Sequence, residues 1–285
     1  MEVIIKKIYN SVTHLIGRIS GQFYFEDYIR VYPDDVNFDR FGHNIPANRN
    51  TKNNFLNHKK FYGFVSQFVK DKIIADIGCG SGFGCEIIKV AGAKKVYGCD
   101  ISKKSVEFAI KRYKNYAEFS IQGITNLHLY QNQYFDIAIS SEVLEHIKEY
   151  QKEDDAIKEL KRITKKDGLI IVSTPNSELS GDHGFYFNEI DHLFKKNFRK
   201  YCIFENALLP FDEKGKKKFE RRITNRETGI IVSEQINLSE TVLPDNALPL
   251  IKQGLSIGTF TFENIKINTE SLHNTHSWIV IAIND

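Results

Sequence analysis

From Lys72 to Ser173 the chain repeats one pattern: a short apolar run, a turn, then an amphipathic helical stretch. Lys72–Ile77 reads as a buried strand, Phe83–Ala91 as a helix and Lys95–Asp100 as a second strand. Ser105–Tyr113 follows as a helix, and Ala117–Ile121 and Phe135–Ser140 as strands. Asp154–Thr164 is a helix with Ile157, Leu160 and Ile163 on one face, and Leu169–Ser173 is a strand ended by Pro175. A strand that is apolar at every position has no polar face to give to water, so both faces of its sheet must be covered. The pattern therefore predicts βαβ units, with a parallel sheet between two helical layers.

Outside this stretch the pattern loosens. Asn188–Lys195 reads as a helix, Tyr201–Leu208 as a strand and Ser277–Ile283 as the final strand. The segment between those two strands is far too long for a hairpin loop, and it carries the basic cluster Lys214, Lys216, Lys217, Lys218, Arg221 and Arg222. Residues 1–70 suggest helices broken by a polar loop at 33–46, with Phe23, Tyr24, Phe25, Tyr28 and Tyr32 close together. The expected organisation is a helical extension or lid at 1–70, a core at 71–210, an insertion at 211–275 and a last core strand at 276–285. The insertion is expected to cover substrate or to contact a second copy of the chain in a homodimer.

Charge and cysteine content narrow the function. A net charge of +3 is too small to demand a nucleic-acid or membrane partner. The four cysteines, Cys79, Cys85, Cys99 and Cys202, have no C-x2-C spacing and no histidine cluster near them. Free thiols are expected, with no metal. Ile4, Ile8, Leu15 and Ile19 recur at helical spacing, but Lys6, Lys7 and His14 interrupt any signal-peptide core, and no run reaches membrane length. A cytoplasmic location is expected.

The chemistry begins at Asp76-Ile-Gly78-Cys79-Gly80-Ser-Gly82-Phe-Gly84, where the first strand turns into its helix. Glycines admit a ligand close to the main chain, and the helix N-terminus offers amide hydrogens to an anion. A dinucleotide fingerprint needs G-x-G-x-x-G. Counting from Gly78 puts Phe83 in the third position, and counting from Gly80 puts Cys85 there, so both registers fail. Asp76 lies where an anion would repel a pyrophosphate but suit a cationic amino acid. Asp100, at the end of the second strand, is placed to accept from ribose hydroxyls.

Taken in order, D-I-G-C-G-S-G, the G-C-D strand end at Asp100 and F-D-I-A-I-S-S-E-V-L-E-H-I (135–147) resemble the successive motifs of class I methyltransferases that use S-adenosylmethionine (SAM). The resemblance implies a Rossmann-like α/β fold with a seven-stranded, mostly parallel sheet in the order 3-2-1-4-5-7-6. It implies that Asp76, Gly78, Cys79 and Gly80 hold the methionine end of SAM and Asp100 the ribose. Ile101 would pack on the adenine, beside Gly123 and Ile124, although Gln122 stands where the family usually has an acid. Ser140, Ser141 and Glu142 would line the site beneath the sulfonium. V-S-T-P-N (172–176), His183 and E-I-x-x-L-F (189–194), with His58 and Tyr62 before the first strand, further resemble bacterial methyltransferases of cell-surface glycans, capsule polysaccharides and small polar metabolites.

Methyl transfer to a hydroxyl needs a base, and His183, in a Gly/Asp-rich loop after the fifth strand, is the first choice, with Asp182 to orient it. His146 is the second. Lys217 and Arg221 are candidates to clamp a phosphorylated or nucleotide-sugar acceptor. O-methylation of a small or glycan-linked acceptor is the expectation. The rivals are N- or C-methylation, an NAD-dependent oxidoreductase disfavoured by the glycine spacing, and a SAM-binding subunit without catalysis.

Overall fold

The computed structural model of the chain describes residues 49–177, 183–207 and 275–285, with Val12, Asp27, 29–31, 37–38, 44–45, 235–236 and 267–268. A two-residue antiparallel pair, β1 (Asn37–Phe38) and β2 (Asn44–Ile45), forms within the stretch expected to be only a polar loop. Helix α1 (Arg49–Val65) leads into β3 (Ile73–Ile77), α2 (Phe83–Val90), β4 (Lys95–Asp100), α3 (Lys103–Tyr113) and β5 (Glu118–Ile121). After these come β6 (Phe135–Ser141), α4 (Leu144–Lys148), α5 (Glu153–Ile163), β7 (Thr164–Pro175), α6 (Phe187–Asn197) and β8 (Tyr201–Ala207). The last strands are β9 (Gln235–Ile236), β10 (Ile267–Asn268) and β11 (Thr275–Ile283).

One sheet takes the order β10-β9-β8-β11-β7-β6-β3-β4-β5. Its nine strands among the described residues replace the expected seven, because β9 and β10, both within the 211–275 segment, extend the β8 edge. Strands β3 to β7 pair in parallel, and β11 runs antiparallel to both β7 and β8.

Strand residues alternate between two cores. Ile74, Ile137, Ile139, Leu169, Ile171, Ile279 and Ile281 face one side with Phe61, Val65, Phe68 and Ile88 of the α1 and α2 region. Ala75, Ile77, Ala138, Ile170, Val172, Val280 and Trp278 face the other, with Ile157, Leu160 and Ile163 of α5 and Ile190 and Phe194 of α6. This is the double coverage that the apolar strands demanded. At the join of α5 and β7, Asn284 Nδ2 donates to the carbonyls of Lys161 (2.9 Å) and Thr164 (2.7 Å). The helix can therefore end against the last strand and pass straight into β7, five residues before the start of Leu169–Ser173 would suggest.

The chain moves outward from β3 through β4 to β5, then returns to the other side of β3 to form β6. That reversal opens a crevice at the carboxyl ends of β3, β4 and β6, the usual place for a ligand in an open α/β sheet.

Candidate active site

The loop from β3 to α2 occupies this crevice. Gly78 N and Cys79 N both donate to Cys99 O of the neighbouring strand, at 2.7 and 2.9 Å, which pins the start of the loop. Gly78 has φ +79°, and a Cβ there would lie 2.3 Å from Val143 Cγ2. Gly80 has φ +54°, and among the described residues nothing lies within 4 Å of a Cβ there. One glycine lets the loop pack, and the other leaves room for a ligand.

Asp76 and Asp100 hold this loop from two sides. Asp76 is fully buried, and its carboxylate accepts from Tyr62 Oη (3.1 Å) and Cys85 Sγ (3.4 Å). Burial pushes its pKa up to about 7, against those two hydrogen bonds. Asp100 accepts from Gly80 N (2.9 Å) and Ser102 N (2.8 Å). Burial raises its pKa too, while the two N–H donors pull the other way. Ile101 is exposed, and a Cβ on Gly123 would lie 3.4 Å from its Cδ1, so the two border one slot with buried Ile124. Gln122, at the position of the missing acid, serves the fold: its Nε2 donates to Ser120 Oγ and its Oε1 accepts from Leu129 N, both at 2.9 Å.

At the end of β6, Ser140 Oγ is buried without a hydrogen-bond partner among the described residues. Ser141 Oγ lies 3.5 Å from His58 Nδ1. Glu142 takes the left-handed backbone, φ +56°, and accepts from Ser173 Oγ at 2.9 Å. Burial raises its pKa to about 7.

Helix α4 then presents Glu145 and His146 to His183, which follows β7. The rings of His146 and His183 are 5.0 Å apart, and His146 Nε2 is 3.8 Å from Glu145 Oε1. His183 Nδ1 is 3.8 Å from Glu149 Oε1. Burial, Arg30 and His183 together push His146 down to about 3, so its imidazole is neutral. Glu145 is held well above the carboxylate range by burial and by Glu142. Arg30 Nη1 donates to His146 Nε2. Nearby, Ser102 Oγ donates to Asp27 Oδ1 (2.5 Å) and Ser81 Oγ to Val31 O (2.7 Å), which brings Asp27 and Val31 to the crevice.

The structure thus gathers Asp76, Gly78, Cys79, Gly80 and Asp100 in one loop network, with Ser140, Ser141, Glu142, His146 and His183 along the same sheet edge. Asp182, Lys217 and Arg221 lie outside the described residues, as do the aromatic residues 23–25, 28 and 32. Sequence reasoning missed Arg30 and Asp27, which no local pattern marks. It also missed Glu145 and Glu149, although Glu145 stands next to His146 in a motif already singled out.

Residues 75–172 match the family model described as a methyltransferase domain. The chain carries a SAM-dependent methyltransferase domain. It is 32% identical over 112 residues to the ubiquinone biosynthesis O-methyltransferase of Pelagibacter ubique, covering 39% of this chain and 45% of that protein. It is 25% identical over 189 residues to a tRNA (carboxymethyluridine(34)-5-O)-methyltransferase of Xenopus tropicalis, covering 65% of this chain and 25% of that one. The methyltransferase in a complex with the Haloferax volcanii Trm112 activator superposes with a TM-score of 0.52 at 12% identity, covering 82% of this chain and 92% of that chain. That likeness is one of fold. The chain spans less than half the length of these two curated relatives.

Proposed function

We propose that this chain transfers the methyl group of SAM to a hydroxyl of a small polar or glycan-linked acceptor, including phosphorylated and nucleotide-sugar acceptors of surface-polysaccharide synthesis. The observation that carries this reading is the convergence on one sheet edge of Gly80, whose Cβ side meets no described atom within 4 Å, and a group able to handle a proton at Glu145, His146 and His183. The residues fit the donor: among the described residues, Ser140 has a buried hydroxyl without a partner and a Cβ on Gly80 would meet nothing within 4 Å.

When bound, SAM supplies an electrophilic methyl on a sulfonium, a good leaving group. Asp76, Gly78, Cys79 and Gly80 serve its methionine end, Asp100 the ribose, and Ile101, Gly123 and Ile124 the adenine. Ser140, Ser141 and Glu142 line the space beneath the sulfur. Asp27 and Val31, bonded to Ser102 and Ser81, support a covering role for this part of the chain. Excluding water and aligning nucleophile, carbon and sulfur supplies much of the rate. His183 is the exposed nitrogen base for the acceptor hydroxyl, with Glu149 beside its Nδ1. Asp182, Lys217 and Arg221 are its acceptor-binding candidates.

The test has two arms. Asp100→Ala should weaken S-adenosylhomocysteine binding by about tenfold or more, as expected when a hydrogen bond from a charged group is lost. Unchanged affinity by calorimetry would remove the ribose assignment. A radiolabelled-methyl screen across nucleotide sugars, polar metabolites and tRNA identifies the acceptor class. Label found only in tRNA, or only on nitrogen or carbon, would reject the hydroxyl-bearing small molecule.

A further inference from the structure

We propose that Glu145, His146 and His183 form a divalent-cation site, and that the acceptor carries a hydroxyl that binds this cation, as vicinal diols and catechols do. The proposal rests on the hydroxyl-transfer reading above but revises the route of the proton: His183 becomes a ligand of the cation in place of the base.

One ligand atom from each of the three residues lies within 4.8 Å of the others. Two ligands about 2.1 Å from a shared cation are about 3.0–3.4 Å apart in tetrahedral or octahedral positions, so closure needs a movement of about 1–2 Å. His183 is the most exposed of the three side chains. The residues come from two segments, α4 and the loop after β7, so the grouping is not the accident of one helix face. Glu145 is 3% exposed, with Thr174 Oγ1 donating to its Oε2 at 3.2 Å. Its Oε1 turns toward His146. Glu149 beside His183 Nδ1 favours the proton on that nitrogen, which leaves Nε2 with a lone pair, as carboxylates behind metal-bound histidines commonly do.

The cluster already attracts a cation. The Arg30 guanidinium donates to His146 Nε2, the nitrogen nearer Glu145. Arg30 therefore stands where a metal ion would bind and should compete with it. Two imidazoles, a carboxylate and positions left for water or substrate suit Mn²⁺ or Zn²⁺ better than Ca²⁺.

A cation there lowers the pKa of a coordinated hydroxyl, so His183 gives its nitrogen to the metal and not to the proton. The proton of the coordinated hydroxyl passes to solvent. The acceptor oxygen then forms the O–C bond as the C–S bond breaks, its electron pair going to sulfur.

The experiment uses the full chain stripped with EDTA. Mn²⁺ is titrated in by calorimetry, and free Mn²⁺ is followed by electron paramagnetic resonance. The proposal expects one saturable site per chain, weakened about tenfold or more in both His183→Ala and Glu145→Gln and tightened in Arg30→Gln. His183 is exposed, so His183→Ala keeps the test decisive if the buried Glu145→Gln fails to fold. Absent saturable binding, or binding that His183→Ala leaves intact, overturns the site. Methylation of a hydroxyl acceptor at the same rate with and without EDTA also overturns it, while leaving the transfer reading standing. A single Mn²⁺ site lost in His183→Ala, together with methylation of nitrogen acceptors only, supports the site and rejects hydroxyl transfer.

Discussion

Gly84 is the position where the cofactor loop depends most on a missing methyl group. A Cβ there would lie 2.1 Å from Tyr62 Cζ and 2.4 and 2.5 Å from its two Cε atoms. Tyr62 is 3% exposed and cannot swing aside into water, and its hydroxyl holds the Asp76 carboxylate. In Gly84→Ala, forcing the ring away costs about 1–3 kcal/mol as overpacking. Breaking a hydrogen bond to a carboxylate adds about 1.5–3 kcal/mol. Replacing glycine inside helix α2 returns about 1 kcal/mol. The net loss is near 3 kcal/mol, or about 5 °C in Tm for a chain of this size. Tyr62→Leu alone should cost a similar amount, by losing the same hydrogen bond and part of the ring contact. Because leucine vacates the space the new methyl needs, the double variant should be more stable than the sum of the two singles predicts, by at least about 1 kcal/mol. Denaturant melts with an unchanged m-value would measure this cycle. Strict additivity, within about 0.5 kcal/mol, would refute the claim that Gly84 is required by Tyr62.

Two further substitutions test the buried polar groups. The pKa of Asp76 stands at about 7 in the folded chain, against about 3.9 unfolded. The native state therefore holds a proton that the unfolded chain has lost, and stability falls as pH rises from about 4 to 7, by about 4 kcal/mol in total. Asp76→Asn should remove that fall, gaining on the parent between pH 4.5 and 7.5, and parallel stability profiles would exclude it. Ser140→Ala removes a buried hydroxyl without a partner, so it should stabilise the ligand-free chain by up to about 1 kcal/mol. The same change should weaken S-adenosylhomocysteine binding several-fold by calorimetry, and tighter binding would show that the hydroxyl does not face the ligand.

The strands of the core were legible because each is apolar on both faces. Ile170 and Val172 pack on one layer, and Leu169 and Ile171 on the other, so no other element fits that run. The start of β7 was not legible. Lys165, Lys166 and Asp167 look like a polar helix end, yet Asp167 at φ +61° and the carbonyls bound by Asn284 make them strand. Gln122 shows the same limit within the site. An absent acid reads as a weakened cofactor contact, whereas its amide is used to hold Ser120 and Leu129 in place.

A physical reason divides the two halves of the site. The donor half is built from main-chain groups and short loops at the ends of β3 and β4. Gly78, Gly80, Asp100 and Ser102 lie within 25 residues and make their bonds to one another. Such a half must appear as a local motif, because the turn itself is the binding surface. The acceptor half joins Arg30, Glu145, His146 and His183, which span more than 150 residues and meet only because β6 and β7 are neighbours in the sheet. No spacing rule connects them. Residues in the first half should therefore govern donor affinity whatever the acceptor. Residues in the second should change acceptor and metal dependence while leaving S-adenosylhomocysteine binding close to that of the parent chain.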